Sequence, residues 1–162
     1  MGENRQYISV SISLVTVFLF CSIALWSCSM PQIVILDDPL SADEHNDLGV
    51  VYENKGMFDL AEKEYLKAIK QKNDWAVPFF NLGNLYYRKD NLDKAERSFR
   101  RALRIDPKNP DVLNNLAYIL YEKGRLAEAK ELIDQALTIQ SIPEYLDTRS
   151  KILEKNNNNI SE

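Results

Sequence analysis

Small and apolar residues recur every 34 residues along most of this chain. Three positions show the period most clearly, and their residues are Leu48, Leu82 and Leu116; Ala61, Ala95 and Ala129; and Ala68, Ala102 and Ala136. A constant period of this length is typical of a stacked solenoid, in which each unit buries its apolar face against its neighbours. Because solenoids of this kind present extended binding surfaces, the period favours a binding function.

The period divides the chain into three units, at about residues 42–75, 76–109 and 110–143. Within each half of a unit, apolar residues lie three, four and seven residues apart, which predicts two amphipathic helices. Turn-forming residues separate the halves, and they are Lys55-Gly56, Asp90-Asn91 and Lys123-Gly124. Counted from the start of each unit, positions 8, 20 and 27 are small, so we expect the helices to approach one another closely there.

The repeated positions form a recognisable motif. Each unit has Leu followed by Gly or Ala at positions 7 and 8, Ala at positions 20 and 27, and a large apolar residue at position 24. This pattern resembles the tetratricopeptide repeat over about residues 42–143, although the tryptophan position of that repeat holds His45, Phe79 and Leu113. The resemblance implies an all-α fold in which three tandem helix-turn-helix units, spanning residues 41–142, form a short right-handed α-solenoid.

The segments that flank the repeats also have predicted roles. The third unit leaves an apolar face open, and residues 143–155, which include Tyr145 and Ile152, predict a C-terminal capping helix over it. Residues 156–162 contain a run of asparagines that has no means of burying itself, so they are predicted to be a disordered tail. Residues 28–40 are predicted to link the N-terminal segment to the repeats.

Residues 1–27 differ from the rest of the chain, because no charged residue occurs from Tyr7 to Trp26. The apolar stretch ends in Leu25-Trp26-Ser27-Cys28, which resembles the bacterial lipobox and implies lipidation of Cys28 with cleavage after Ser27. An uncleaved membrane anchor and an ordinary cleaved signal peptide are the alternatives. All three place the repeats at a membrane or outside the cytoplasm. With the lipobox, the predicted location is the bacterial cell envelope, facing the periplasm, and Ser29 after the cysteine resembles the pattern of lipoproteins sent to the outer membrane.

The sequence offers no catalytic or metal-binding constellation. Its one histidine, His45, occupies a packing position, and its two cysteines are Cys21 in the N-terminal segment and Cys28, the predicted lipidation site. Glycine-rich phosphate loops and clustered metal ligands are absent from the sequence, so we expect no enzymatic activity, no cofactor, no metal and no small-molecule substrate. The net charge is −4, which argues against a nucleic-acid partner.

The resemblance implies that the first helix of each unit lines an inner groove. The groove positions with the most informative side chains hold Asn46, Val50, Phe80, Asn81, Asn84, Tyr87, Arg88, Asn114, Asn115, Tyr118 and Tyr121. A row of amides facing water can hold an extended peptide backbone, and tyrosines are common binding hot spots. The alternative is that the asparagines only solvate an exposed helix face. A carboxylate clamp for peptide C-termini is not expected, because the positions that should be Lys or Arg hold Asn46, Asp111 and Asn115.

Together these features predict a membrane-tethered adaptor or scaffold that binds a protein or peptide partner in its groove. The predicted setting is the assembly of a bacterial envelope complex, as in other small tetratricopeptide lipoproteins. Two alternatives remain: a structural protein that associates with itself, or an accessory subunit. The accessory role would be in exopolysaccharide export or beside a papain-like cysteine peptidase, since residues 38–49 resemble the repeat block attached to some of those peptidases.

Overall fold

This computed structural model describes residues 38–160, and that part of the chain contains seven α-helices joined by short turns. The helices are α1 (Ala42–Asn54), α2 (Phe58–Gln71), α3 (Ala76–Arg88), α4 (Leu92–Ile105), α5 (Pro110–Glu122), α6 (Leu126–Ile139) and α7 (Pro143–Ile160). The predicted signal segment, Cys28 and most of the predicted linker lie outside the described residues. No helix within residues 38–160 has the length and apolar character needed to cross a membrane.

The first six helices form three helix-turn-helix units, α1–α2, α3–α4 and α5–α6, in agreement with the predicted all-α solenoid. Each unit turns at its position 15 through a residue with positive φ: Gly56 (73°), Asp90 (56°) and Gly124 (76°). Glycine adopts this conformation freely and aspartate tolerates it better than most residues do. The middle unit therefore keeps the same turn without a glycine at that position.

Side-chain caps fix where two of the first helices begin. Ser41 accepts a hydrogen bond from the backbone N–H of Glu44, and the Glu44 carboxylate accepts one from the backbone N–H of Ser41, so the two residues form a capping box at the start of α1. The Asn109 side chain accepts from the N–H of Val112, and Pro110 occupies the first position of α5. These caps set the boundaries of the first and third units.

The core of each unit forms where an aromatic or branched residue at position 24 packs on a small residue at position 8. A Cβ atom added to Gly49 would lie 2.5 Å from the Tyr65 ring, and one added to Gly83 would lie 2.5 Å from the Phe99 ring. The third unit has Ala117 and the smaller Ile133 at these two positions, and both are fully buried. The alanines at positions 20 and 27 are also completely buried in all three units, as the period predicts.

Helix α7 covers the end of the array by packing on α5 and α6. It buries Tyr145, Thr148 and Ile152, and the Tyr145 hydroxyl donates to the Asp111 carboxylate. The helix continues to Ile160, so the predicted end at residue 155 and the predicted disordered state of residues 156–160 differ from the structure. Ile152 and Lys155, whose Nζ donates to the Tyr121 carbonyl at 3.1 Å, fix the helix near that point. Residues 156–160 can then extend the existing helix, because each added residue gains one backbone hydrogen bond and no new helix has to be nucleated.

Candidate functional site

The first helices of the three units form the inner side of the array. Cα atoms of α1 and α3, and of α3 and α5, approach within 8 Å, whereas no such approach occurs between α2 and α4 or between α4 and α6. Successive units are therefore closer together on the first-helix side and spread apart on the second-helix side. We call the surface formed by α1, α3 and α5 the groove.

A pocket of about 160 Å³ lies in the groove between α3 and α5. Five of the predicted groove residues line it: Asn84, Tyr87, Asn114, Asn115 and Tyr118. Phe99 and Ile119 also line it, and both are buried, so the pocket has an apolar floor. An apolar lining with a few polar groups at the edge is the usual composition of a ligand-binding pocket.

Three tyrosine rings form a continuous aromatic surface beside this pocket. The Tyr87 and Tyr118 rings meet edge to face with their centroids 5.8 Å apart, and the Tyr121 ring lies 5.8 Å beyond Tyr118. A hydrogen bond to Tyr87, followed by burial and a hydrogen bond to Glu122, raises the pKa of Tyr118, so its hydroxyl stays protonated. Tyr87 is 42% exposed, which leaves one face of this aromatic surface accessible to a partner.

The predicted row of water-facing amides is wrong in one respect, because these amides bind one another across the helices. Asn81 Nδ2 donates to Asn46 Oδ1 at 2.9 Å, and Asn115 Nδ2 donates to Asn84 Oδ1 at 2.9 Å. Each bond joins the first helices of neighbouring units. Asn81 and Asn115 therefore hold the array together, and their loss would weaken the fold as well as any binding.

Two amide groups in the pocket keep hydrogen-bonding capacity. The bond from Asn115 uses only the oxygen of Asn84, and the NH₂ group of Asn84 has no hydrogen-bond acceptor within residues 38–160. The Oδ1 atom of Asn114 is buried and has no donor among the same residues. A buried acceptor without a donor costs free energy unless water or a ligand supplies one. The pocket therefore contains one amide donor and one buried amide acceptor that form no hydrogen bond within residues 38–160.

The other predicted groove residues are less accessible or already engaged. Asn46 is only 6% exposed, so it lies beneath the groove surface and not on it. Phe80 is half-buried against Phe99, with ring centroids 6.0 Å apart, and belongs to the packing within the second unit. Arg88 donates to Glu53 at 2.9 Å and lies over the Phe58 ring, whereas Val50 remains 37% exposed on α1.

Sequence reasoning missed the groups that surround the pocket from other elements. The pocket floor includes Phe99 from α4, a second helix that the motif assigns to the core. Two lysines of α7 reach the tyrosines: Lys151 Nζ lies 5.8 Å from the Tyr118 ring centroid, and Lys155 Nζ lies 4.5 Å from that of Tyr121. The 34-residue period stops before α7, so the sequence motif does not place this helix. Only its position in the chain, after the second helix of the third unit, could have suggested that it lies beside the first helices.

The histidine outside the groove has a structural partner. His45 is completely buried, and its Nδ1 lies 2.6 Å from the Glu64 carboxylate, which links α1 to α2. Within the part of the chain that the structure describes, no group of three or more His, Cys, Asp or Glu side chains could hold a metal ion. The side chains that gather in the groove are amides and aromatics, which suit non-covalent recognition.

Comparison with known proteins gives matches to repeats and to their structures. Two sequence-family models, both described as tetratricopeptide repeat, match residues 45–74 and 80–143, whereas no curated protein sequence matches the chain. One similar solved structure is the first such domain of Spaghetti (RPAP3) bound to the HSP90 peptide SRMEEVD, with a TM-score of 0.69 and 20% identity. That match covers 75% of this chain and 97% of the other.

A second similar structure is the second repeat domain of the human RPAP3 protein in complex with the HSP70 peptide SGPTIEEVD. Its TM-score is 0.65 and its identity is 20%, with 68% of this chain and 93% of the other covered. At this level of identity the two structures show a shared fold alone.

Proposed function

Because this chain belongs to the tetratricopeptide repeat family, we propose that it is an adaptor that binds an extended segment of a partner protein in its groove. The proposal depends on the pocket between α3 and α5, which combines an apolar floor, a tyrosine wall and two amide groups with spare hydrogen-bonding capacity. Two proteins with this fold are described as bound to peptides, which supports a peptide as the class of ligand.

The chemistry of the pocket suggests what part of a partner it accepts. An apolar side chain would enter the pocket beside Tyr87 and Tyr118 and rest on Phe99 and Ile119. A carbonyl of the partner's neighbouring peptide group would accept from the Asn84 NH₂. Main-chain recognition of this kind fixes an extended segment, while the pocket selects one side chain.

A free C-terminal carboxylate is a poor fit for this groove. The three positions that a carboxylate clamp requires to be basic hold Asn46, Asp111 and Asn115. Asn46 is buried, Asn115 bonds to Asn84, and Asp111 accepts from Tyr145. We therefore propose an internal segment of the partner as the ligand, in contrast to the peptides ending in EEVD in the two similar structures.

Substitution of the two tyrosines that line the pocket tests the groove. Tyr87→Ala combined with Tyr118→Ala should weaken partner binding by about 2 kcal/mol or more, roughly 30-fold in Kd, because hot-spot tyrosines contribute on this scale. Partner recovery would be measured by crosslinking in native membranes and quantitative mass spectrometry, with circular dichroism confirming that the variant folds.

Ile139→Ala is the matched control, since Ile139 is 47% exposed on α6, a second helix. It should leave partner recovery unchanged. Normal recovery with the tyrosine variant, together with a loss in the Ile139 variant, would show that the binding surface is on the second helices instead.

We further propose that lipidation of Cys28 tethers this adaptor to a bacterial membrane, in the assembly of an envelope complex. The support is the sequence Leu25-Trp26-Ser27-Cys28 at the end of the uncharged segment. Each buried methylene contributes about 0.8 kcal/mol, so several acyl chains would hold the protein firmly at a membrane.

Cys28→Ala should abolish incorporation of labelled fatty acid and should prevent cleavage after Ser27. Both would be read by mass spectrometry of the intact protein, with Cys21→Ala as the control that should be processed normally. A wild-type protein that retains residues 1–27 and takes up no lipid would contradict the lipoprotein proposal and favour an uncleaved anchor.

A further inference from the structure

The second helices of the first two units carry basic residues in register. Positions 22, 26 and 29 are Lys63, Lys67 and Lys70 in α2, and Arg97, Arg101 and Arg104 in α4. The same positions in α6 hold Glu131, Gln135 and Thr138. We call the surface formed by the six basic residues the basic face; it stands out because the protein as a whole has a net charge of −4.

The acidic residues of α2 and α4 do not neutralise this face. Asp59 and Glu62 pair with Lys89, and Glu62 also pairs with Lys94. Asp93 and Glu96 pair with Lys123, and Glu96 also pairs with Arg100 and Arg125. Four of the five carboxylates on these two helices are therefore matched to cations outside the basic face, and the fifth, Glu64, pairs with Lys67 and His45.

Four basic side chains of this face are consequently left without a close ion pair among the described residues. Lys63, Lys70, Arg97 and Arg104 are exposed and form no ion pair within residues 38–160. Of the other two, Lys67 lies 3.3 Å from Glu64, and the Arg101 guanidinium lies 5.5 Å from the Phe79 ring centroid. Lys94 of α4 reaches Glu62 of α2 at 3.5 Å, which shows that the two helices present adjoining surfaces.

Exposed apolar side chains accompany these charges on α2. Leu66 is 46% exposed between Lys63 and Lys70, and Leu60 and Met57 are also exposed near the start of the helix. Basic residues mixed with exposed leucine and methionine are typical of helices that lie on an anionic membrane surface, where headgroups attract the charges and the apolar groups enter the interface. A phosphodiester backbone would offer the leucines no partner, so nucleic acid fits this composition less well.

We propose that the basic face docks on an anionic lipid surface, so that α2 and α4 lie against the membrane and the groove remains open to partners. Each basic residue near such a surface strengthens binding about fivefold. Four basic residues without a close ion pair would therefore favour one orientation of the protein on the membrane strongly over the others. The proposal is independent of the groove, because no residue of the basic face lines the pocket.

Lysine footprinting of the full chain tests the proposal. The protein would be reconstituted in vesicles of neutral phosphatidylcholine, or in vesicles with roughly one third anionic phosphatidylglycerol, and acetylated with a soluble reagent. Lys63 and Lys70 should be acetylated at least about fivefold more slowly in the anionic vesicles, and high salt should remove the difference. Lys130 on α6 should react equally in both. Both vesicles accommodate an N-terminal anchor, so the difference reports only the basic face.

A second test removes basic residues from α4 and measures the acetylation of lysines on α2. Arg97→Gln with Arg104→Gln should restore rapid acetylation of Lys63 and Lys70 in anionic vesicles, whereas Lys130→Gln with Lys151→Gln, the same change in charge, should not. Equal acetylation of the wild-type protein in the two vesicles would overturn the proposal, as would protection that persists in the arginine variant. Protection by a polyanion such as RNA, without protection by anionic vesicles, would assign the face to a different partner.

Discussion

The residue at position 8 of each unit is matched to the residue at position 24. Gly49 faces Tyr65, Gly83 faces Phe99, and Ala117 occurs in the unit where position 24 is Ile133. The extra methyl group of alanine is present only in the unit that lacks an aromatic ring at position 24. Helix propensity alone would favour alanine in all three units, so close packing decides the choice.

Gly83→Ala should destabilise the protein, although alanine is the better helix former by roughly 0.5–1 kcal/mol. The new Cβ would lie 2.5 Å from the Phe99 ring, and relief of this overlap costs roughly 1–3 kcal/mol. A lower midpoint in thermal denaturation monitored by circular dichroism is the expected result. Adding Phe99→Ile should recover part of the loss, because it recreates the Ala117–Ile133 pair, while a midpoint above wild type for Gly83→Ala alone would show that the ring is free to move.

At the scale of the elements, a charged cluster joins α4 to the start of α6. The Glu96 carboxylate accepts from Lys123 at 2.6 Å, from Arg125 at 2.7 Å and from Arg100 at 2.8 Å. Burial alone would raise the pKa of Glu96, but the hydrogen bonds from Lys123, Arg100 and Arg125 outweigh it and lower the pKa to about 2. Lys123 and Arg125 lie in the α5–α6 turn, so the cluster holds the second and third units together.

This cluster predicts a loss of stability in acid. The pKa of Glu96 is about 2 in the folded protein against 4.5 for an unperturbed glutamate. The stability it contributes is therefore fully present above about pH 4.5 and is lost as the pH falls toward 2. Melting midpoints should fall less steeply over this range in Glu96→Gln than in wild type. Glu131→Gln, at an exposed site, should behave like wild type, and identical acid profiles for all three proteins would mean that the cluster adds no pH-dependent stability.

For the whole molecule, α7 completes the array by covering α5 and α6. Removing residues 143–162 would expose the surfaces that pack on Tyr145 and Ile152, which are 2% and 1% exposed. Two large apolar side chains contribute roughly 1.5–3 kcal/mol each when fully buried, so the loss should be about 3–6 kcal/mol. Denaturant titration would measure it, and hydrogen exchange should quicken most in α5 and α6.

A shorter deletion of residues 156–162 serves as the control, because it keeps Tyr145, Thr148 and Ile152, which are buried in α7. It should change the unfolding free energy by much less. Comparable losses from the two deletions would show that the asparagine-rich end contributes to the packing of the third unit.

The sequence predicted the fold well because packing between units repeats with the period. The turns at Gly56 and Gly124 and the buried alanines at positions 20 and 27 all follow from residue type and spacing. The groove was predicted less completely. A helical period shows which face Asn81 and Asn115 occupy, but it cannot show whether their side chains bond to the preceding unit or to water. It also cannot show that the pocket is deep enough to reach Phe99 on α4.

The matching of positions 8 and 24 restricts how this gene can exchange pieces with other repeat genes. A recombination junction inside a unit would separate the two positions, and it could set an alanine such as Ala117 against a ring such as Phe99 or leave a gap between Gly83 and Ile133. A junction between units, in the turns at residues 72–75 or 106–109, keeps each pair together. The interval of 34 residues is thus also the smallest segment that this coding sequence can gain, lose or trade without a packing defect.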